Sequence, residues 1–406
     1  LPTRVIDISL VFAGQDPFLL ESNGLQANYL ALSHRWGGAN VLRTTKVNIE
    51  SHKQSIPIKF LSKTFIDAIY LAAYLGFSYL WIDSICIIQD SPEDWHREST
   101  AMADIYRKAW LTISAACTSS SDTGLVQARP TAIDIKMPYR RDDDQIDGWY
   151  YLSTRDVKSF RVEVIEGHLN KRAWTMQERL LSNRVLHFGG TQCFWDCSST
   201  IKEEKGIWNG RRHDFRFGDW TQRRSFLDPP FSNSDTPVDS NLSAEHSIWH
   251  RVIEQYTRRE LTYPNDRLAA IAGLANAFAN HNDDEYLAGL WRRDLPHGLL
   301  WAKGYKCEEL QVPKTNLAPS WSWASMDGII PYEPASKTSS CLDVLEVTMQ
   351  TLGSSAFGRV EHGSMKLDGH LTSIATITQI RSPTTYVEEF YDDDKCIGSG
   401  SFDTTQ

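Results

Sequence analysis

Residues 79–116, YLWIDSICIIQDSPEDWHRESTAMADIYRKAWLTISAA, set a short apolar strand, a capped helix and a second apolar strand in immediate succession. Ser91 suits the N-cap, Pro92 the first helical position, and Asp94 completes a capping-box pattern beside the positive end of the helix dipole. Trp95, Met102, Ile105, Tyr106 and Ala109 recur at helical spacing and define one apolar face. Glu98 follows Trp95 by three residues and precedes Met102 by four, so it projects from the middle of that face. Burying a carboxylate there costs on the order of several kcal/mol unless it is paired or neutralised. Either an arginine of the core pairs with it, or it serves a cleft as a catalytic or ligand-binding group, since perturbed acids gather at working sites.

Upstream, an apolar strand over Tyr29–Ser33 (YLALS) runs into His34-Arg35-Trp36-Gly37-Gly38, and a helix over Lys63–Leu75 stops at Gly76. With strands at Tyr79–Asp83 and Trp110–Ala115, the order is strand, helix, strand, helix, strand. That order predicts an α/β domain with an open parallel sheet, in which 29–33, 79–83 and 110–115 are adjacent. Ligands of such sheets bind beyond the carboxyl ends of the strands. The residues placed there are Ser33, His34, Arg35 and Trp36, then Asp83 and Ser84, then Ser114, with Glu98 two turns into the helix that leaves the second strand. No GxGxxG or Walker loop is present, so a standard dinucleotide or nucleotide-triphosphate site is not supported, and Gly37-Gly38 reads as a turn. Asp83 is expected at the rim, accepting hydrogen bonds from nearby amides or from the 171–179 segment and holding a loop in shape.

Residues 171–188, KRAWTMQERLLSNRVLHF, read as a short helix and an apolar strand that close the domain, with Trp174 as anchor. Glu178, taken alone, reads as a residue of a solvated face, but within this block Arg172, Trp174, Gln177 and Glu178 are expected to pack on the sheet. The domain is expected over 1–200, with its core at 27–190. The Arg141–Asp144 cluster reads as a solvated loop, and 201–245, with Asp228-Pro229-Pro230, as a linker. A helical, tryptophan-rich region is expected over 246–330, in which Trp321 and Trp323 are read as packing residues. A β-rich region with a frayed tail around Asp392–Asp394 occupies 331–406.

At 406 residues the chain is long enough for two domains, and 41% hydrophobic content with 14 Trp, 15 Tyr and 16 Phe marks it as folded. A net charge of −9 with scattered Lys and Arg argues against a nucleic-acid partner bound through a broad basic surface. No apolar run reaches the length of a membrane span. The first residues, LPTRVIDISL, do not form a signal peptide, and the missing initiator Met marks the chain as a fragment. Seven cysteines (Cys86, Cys117, Cys193, Cys197, Cys307, Cys341 and Cys396) without framework spacing predict reduced thiols and a cytoplasmic location. Cys193 and Cys197 near His187 and His213 have no familiar zinc spacing, so no metal is expected. Asn241-Leu242-Ser243 matches a glycosylation sequon that a cytoplasmic chain would leave unmodified.

Three ordered blocks, YLALSHRWGG at 29–38, the long block at 80–115 and RAWTMQERLLSNRVLHFG at 172–189, resemble the fungal heterokaryon-incompatibility (HET) domain family. Segments after 250, including YTRRELTYPNDRLAAIAGLANAF and APSWSWASMDG, are similar to the regions that commonly lie C-terminal to the domain in such proteins. The resemblance implies a role in fungal allorecognition and programmed cell death, and a sheet of the TIR-like or flavodoxin-like kind. The family is distantly similar to TIR domains, some of which cleave NAD with one helical glutamate. Asp94-Trp95-His96-Arg97-Glu98 matches the setting of that glutamate. The resemblance thus implies Glu98 as catalytic residue, Ser33, Arg35, Trp36, Asp83 and Trp95 as substrate-binding residues, and NAD as substrate with no bound cofactor. In that reading Glu98 stabilises the ribosyl cation, Trp36 stacks on a base and Arg35 contacts the diphosphate. The alternative is a non-catalytic death-signalling adaptor that acts by self-association or by binding an incompatibility partner. Glu98 would then pair with Arg35 or Arg107. An open cleft at Glu98, or arginines on its oxygens, separates the two.

Overall fold

The computed structural model describes residues 1–37, 41–129, 134–140, 146–153, 157–204, 244–302, 317–332, 342–352, 355–369, 376–382, 385–392 and 395–400. Gly38, the 141–144 cluster, His213, the 228–230 and 241–243 segments, Cys307, Cys341 and 393–394 lie outside the described residues, as does most of the expected linker. The chain divides into two compact units, Leu1–Asp219 and Trp220–Gln406.

The first unit is built on strands β1 (Arg4–Asp7), β2 (Phe18–Glu21), β3 (Leu30–Ser33), β4 (Tyr79–Trp81) and β5 (Leu111–Ser114). An exposed hairpin, β6 (Asp134–Arg140) and β7 (Ile146–Ser153), precedes β8 (Arg184–Phe188), β9 (Cys193–Cys197) and β10 (Thr200–Glu203). Apart from the hairpin they form one eight-stranded sheet in the order β10-β9-β8-β5-β3-β4-β1-β2. The four central strands, β4, β3, β5 and β8, are parallel, and the two flanks are antiparallel. The fold is therefore α/β, the three strands expected to be parallel and adjacent are so, and antiparallel strands extend the sheet on both sides. The short links β1–β2 and β8–β9–β10 have no room for a crossover helix and must turn back antiparallel. Every residue of β3 and of β5 is buried, as befits strands covered on both faces.

Five helices accompany the sheet: α1 (Ile49–Gln54), α2 (Lys63–Tyr74), α3 (Asp83–Cys86), α4 (Pro92–Lys108) and α5 (Trp174–Leu181). In α2, Thr64, Phe65, Ala68, Ile69 and Ala72 make the buried stripe, and the chain leaves through Gly76 at φ +82°. Strand β4 ends at Trp81, two residues short of the expected end, because Asp83 already opens α3. Helix α4 is capped by Ser91, whose hydroxyl accepts from the Asp94 amide. The expected return bond of the capping box is replaced, since Asp94 Oδ2 accepts from the Ile88 amide (2.8 Å) and from Arg4. The buried face of α4 is Asp94, Glu98, Met102, Ile105 and Tyr106.

In the second unit, helices α6 (Ala244–Thr257), α7 (Ala269–Asn282) and α8 (Leu295–Gly298) are accompanied by the short strands β11 (Tyr286–Leu287) and β12 (Leu290–Trp291). Trp249, Trp291 and Trp323 are almost fully enclosed, and the Gly289 carbonyl accepts from the indoles of Trp249 (2.9 Å) and Trp323 (3.0 Å). Gly289 has φ +102°, and a Cβ there would meet the Trp323 indole at 2.5 Å. Further along lie a pair, β13 (Leu342–Thr351) with β14 (Val360–Gly369), and a three-stranded sheet of β15 (Thr376–Ser382), β16 (Thr385–Asp392) and β17 (Lys395–Gly400).

Candidate functional site

Three parallel strands end at one rim of the sheet, and the turn after β3 gathers most of the predicted residues there. Trp36 donates its indole N–H to Asp83 Oδ2 (2.8 Å), while Asp83 Oδ1 accepts from the Ser84 amide (2.7 Å). The other side of this bridge is fixed by Ser121, whose hydroxyl reaches the carbonyls of Arg35 (2.8 Å) and Trp36 (3.2 Å). Gly37 comes next at φ +75°, and any Cβ on it would lie 2.6 Å from that of Ser120. Asp83 thus holds the turn in shape. Its ligands come from the turn and from α3, and Arg172 of the expected 171–179 segment binds the His34 carbonyl beside it. Arg35 is half-buried. One face of the half-buried Trp36 ring has the Arg43 guanidinium over it at 5.1 Å.

Beneath the turn lies a buried polar network. Ser33 donates its hydroxyl to Glu178 Oε2, and Tyr106 donates to the Leu32 carbonyl (3.1 Å) from a position that also bonds Glu178. Burial pushes the Glu178 carboxyl up to about 7 against the pull of Arg172 and the Ser33 hydroxyl, and Asp83 adds to the rise. Burial likewise lowers the His34 imidazole to about 4, the nearby Asp83 only partly offsetting it. His34 stands edge-on to Phe65 at 4.9 Å, and its Nε2 has no hydrogen-bond partner. Glu178 is only 3% exposed, which corrects its reading as a solvated residue. Residues Thr175–Leu181 are all buried, so α5 has no solvated face for it to occupy. Of the polar members of α5, Glu178 accepts from Ser33 and Arg179 donates its Nε to Asp196 (3.1 Å).

Glu98 sits in a second cluster, on the N-terminal half of α4. It is 1% exposed, and its Oε1 accepts from Arg97 Nε (3.1 Å) with Arg4 Nη2 at 3.8 Å. Both arginines also bind Asp94, and Arg4 Nε donates to the Cys86 carbonyl (2.7 Å). Burial works against ionisation of Asp94, but the hydrogen bonds from Arg4 and the Ile88 amide, with the charges of Arg4 and Arg97, hold its carboxyl below the usual range. The arginines at Glu98 are therefore Arg4 and Arg97. Arg107, one of the two suggested by sequence, holds Asp104 on the exposed side of α4. Trp95 is half-buried and meets Trp174 of α5 edge-on, with ring centroids 6.4 Å apart. Trp174 in turn packs on the main core, as an anchor should.

Ser33, Trp36 and Asp83 thus share one rim, while Trp95 and Glu98 belong to the arginine cluster on α4. Sequence reasoning missed Arg4 and the polar contacts that Tyr106 and Arg172 make around Glu178 and His34. Arg4 had a visible signal, a cation within the apolar run RVIDI of a strand. Among the described residues no group of three His, Cys, Asp or Glu is arranged to hold a metal, and Cys193 and Cys197 are free thiols. Among them, too, no helix is long and apolar enough to cross a membrane.

The residues that build this rim lie within the match to a known family model. Residues 29–178 match the family model described as Heterokaryon incompatibility protein (HET), so the chain carries a HET domain spanning β3 to α5. No curated protein and no solved structure matches the chain.

Proposed function

We propose that this chain acts in heterokaryon incompatibility and that its HET domain works by association, with itself or with an incompatibility partner, rather than by catalysis. The observation that carries this reading is the enclosure of Glu98. A carboxylate that is to stabilise a ribosyl cation must face the sugar, whereas Glu98 is 1% exposed and turned toward Arg4 and Arg97. The β6–β7 hairpin supports association. It pairs with no other strand among the described residues, and Ile135, Met137, Tyr139, Ile146, Trp149 and Tyr150 are each 40–56% exposed. Two-stranded hairpins are marginal alone, and clustered exposed apolar side chains mark interaction surfaces.

NAD cleavage through Glu98 is the second reading, and one observation favours it. Arg97, the nearer cover of Glu98, is itself 56% exposed, so moving a surface side chain would uncover one oxygen. Purified protein at high concentration, incubated with NAD and assayed for nicotinamide, separates the two. The association reading expects no nicotinamide release and a sedimentation coefficient that rises with concentration, reduced in Met137→Ser/Trp149→Ser. Nicotinamide release that disappears in a folded Glu98→Gln protein would establish the catalytic reading instead.

A further inference from the structure

A pocket opens at the carboxyl ends of β3, β5 and β8, and none of its lining residues is on α4. Its floor is a row. Ser33 pairs in register with Ser114, and Ser114 with His187, so three polar side chains from three adjacent parallel strands lie on one face of the sheet. Its wall includes Asn170, Thr175 and Arg179. Arg179 is the group that asks for a ligand. Its side chain is 10% exposed, Nε is committed to Asp196 Oδ2 (3.1 Å), and the guanidinium lies over the Phe160 ring at 5.3 Å. Nη2 is buried without a hydrogen-bond partner. An unmatched guanidinium N–H in the interior is costly, and an oxygen anion is the acceptor that removes most of that cost.

The row beneath can supply a second donor. His187 Nδ1 is 2.9 Å from Ser114 Oγ, and Nε2 is 3.4 Å from Asp196 Oδ2. In the tautomer with its proton on Nδ1, the His187 ring donates to the Ser114 oxygen and leaves the Ser114 proton free to turn into the pocket. The geometry points to a small-oxyanion site here, in which a carboxylate or phosphate group accepts from Arg179 Nη2 and Ser114 Oγ. This site is independent of whether Glu98 is catalytic.

The test titrates the full chain with inorganic phosphate and, separately, with acetate, following phosphorus-31 and carbon-13 line widths at constant ionic strength. Saturable one-to-one binding of either is expected, and the tighter of the two identifies the class. Arg179→Lys keeps a cation opposite Asp196 but gives up the second nitrogen, and should weaken binding about 10- to 100-fold. Ser114→Ala should weaken it about tenfold. Circular dichroism and a urea midpoint establish that each variant is folded. Absence of saturable binding of both anions by the wild type would overturn the site, as would wild-type affinity in folded Arg179→Lys. Should Arg179→Lys not fold, undiminished affinity in Ser114→Ala overturns it instead.

Discussion

Glu98 and Glu178 are both buried glutamates of the HET domain, and their surroundings differ in kind. Glu98 faces two guanidiniums, one from β1 and one from its own helix, while Glu178 faces the hydroxyls of Ser33 and Tyr106 with Arg172 as opposing charge. A guanidinium compensates only the ionised form of a carboxylate. A hydroxyl, which can donate or accept, serves either form. Similar depth of burial therefore yields a fixed ion cluster at one place and a carboxyl poised near neutrality at the other. Depth alone does not determine how a buried glutamate is compensated, and the choice of partner does.

The largest effect should come from Arg4. Arg4→Met strands Asp94 and Glu98 in the interior and should cost about 3–5 kcal/mol in urea denaturation. Adding Asp94→Asn should restore part of that loss. A cost below about 1 kcal/mol would mean that Glu98 is not clamped by charge, and the contrast with Glu178 would collapse.

Glu178→Gln tests the other half of the contrast through pH. The folded Glu178 carboxyl titrates at about 7 against an ordinary 4.5, so its proton is held in the native state. The stability linked to that proton is fully present below 4.5 and is lost as pH rises through about 7. The variant, which imitates the neutral form, should match wild type near pH 4 and exceed it near pH 8 by about 3 kcal/mol. His34 has the opposite slope. Its imidazole is lowered from 6.5 to about 4, so its contribution is complete above 6.5 and is lost as pH falls toward 4. The two slopes oppose one another in wild type across the shared window from 4.5 to 6.5. Glu178→Gln leaves His34 unopposed and should weaken steadily in acid. Urea midpoints from pH 4 to 8 check this, and parallel profiles for the two proteins would break the comparison.

The smallest effect belongs to Arg97, which is more than half exposed. Arg97→Ala should cost about 1 kcal/mol or less and be sensitive to salt, because water screens the pair it leaves. A loss equal to that of Arg4→Met would show that the outer cation holds Glu98 as firmly as the inner one.

The parallel centre of the sheet was legible because β3, β4 and β5 alternate with two helices whose ends carry Ser91, Pro92 and Gly76. The antiparallel flanks were not, since β1, β2, β9 and β10 are strands of four or five residues without strong alternation. Periodicity placed Glu98 on the buried face of α4, where it lies, because a single helix fixes which of its own residues share a face. It could not name Arg4, whose proximity depends on strand order, a tertiary fact. Glu178 taken alone reads as solvated for the related reason that α5 is buried all round, so that no alternation of polar and apolar residues records its direction; only its block placed it on the sheet.

Arg4 and Asp94 are 90 positions apart along the chain, and their contact sets an order of assembly. The β4–α4–β5 segment is continuous in sequence, whereas the clamp waits for β1 to dock beside β4 and close a long loop. Until then α4 carries two carboxylates on its apolar side with Arg97 as the compensating charge supplied by the helix itself. Interactions that form after the folding barrier act mainly on the rate of opening. The N-terminal strand is in that sense a latch: it adds little to how fast the domain assembles and much to how long it stays closed.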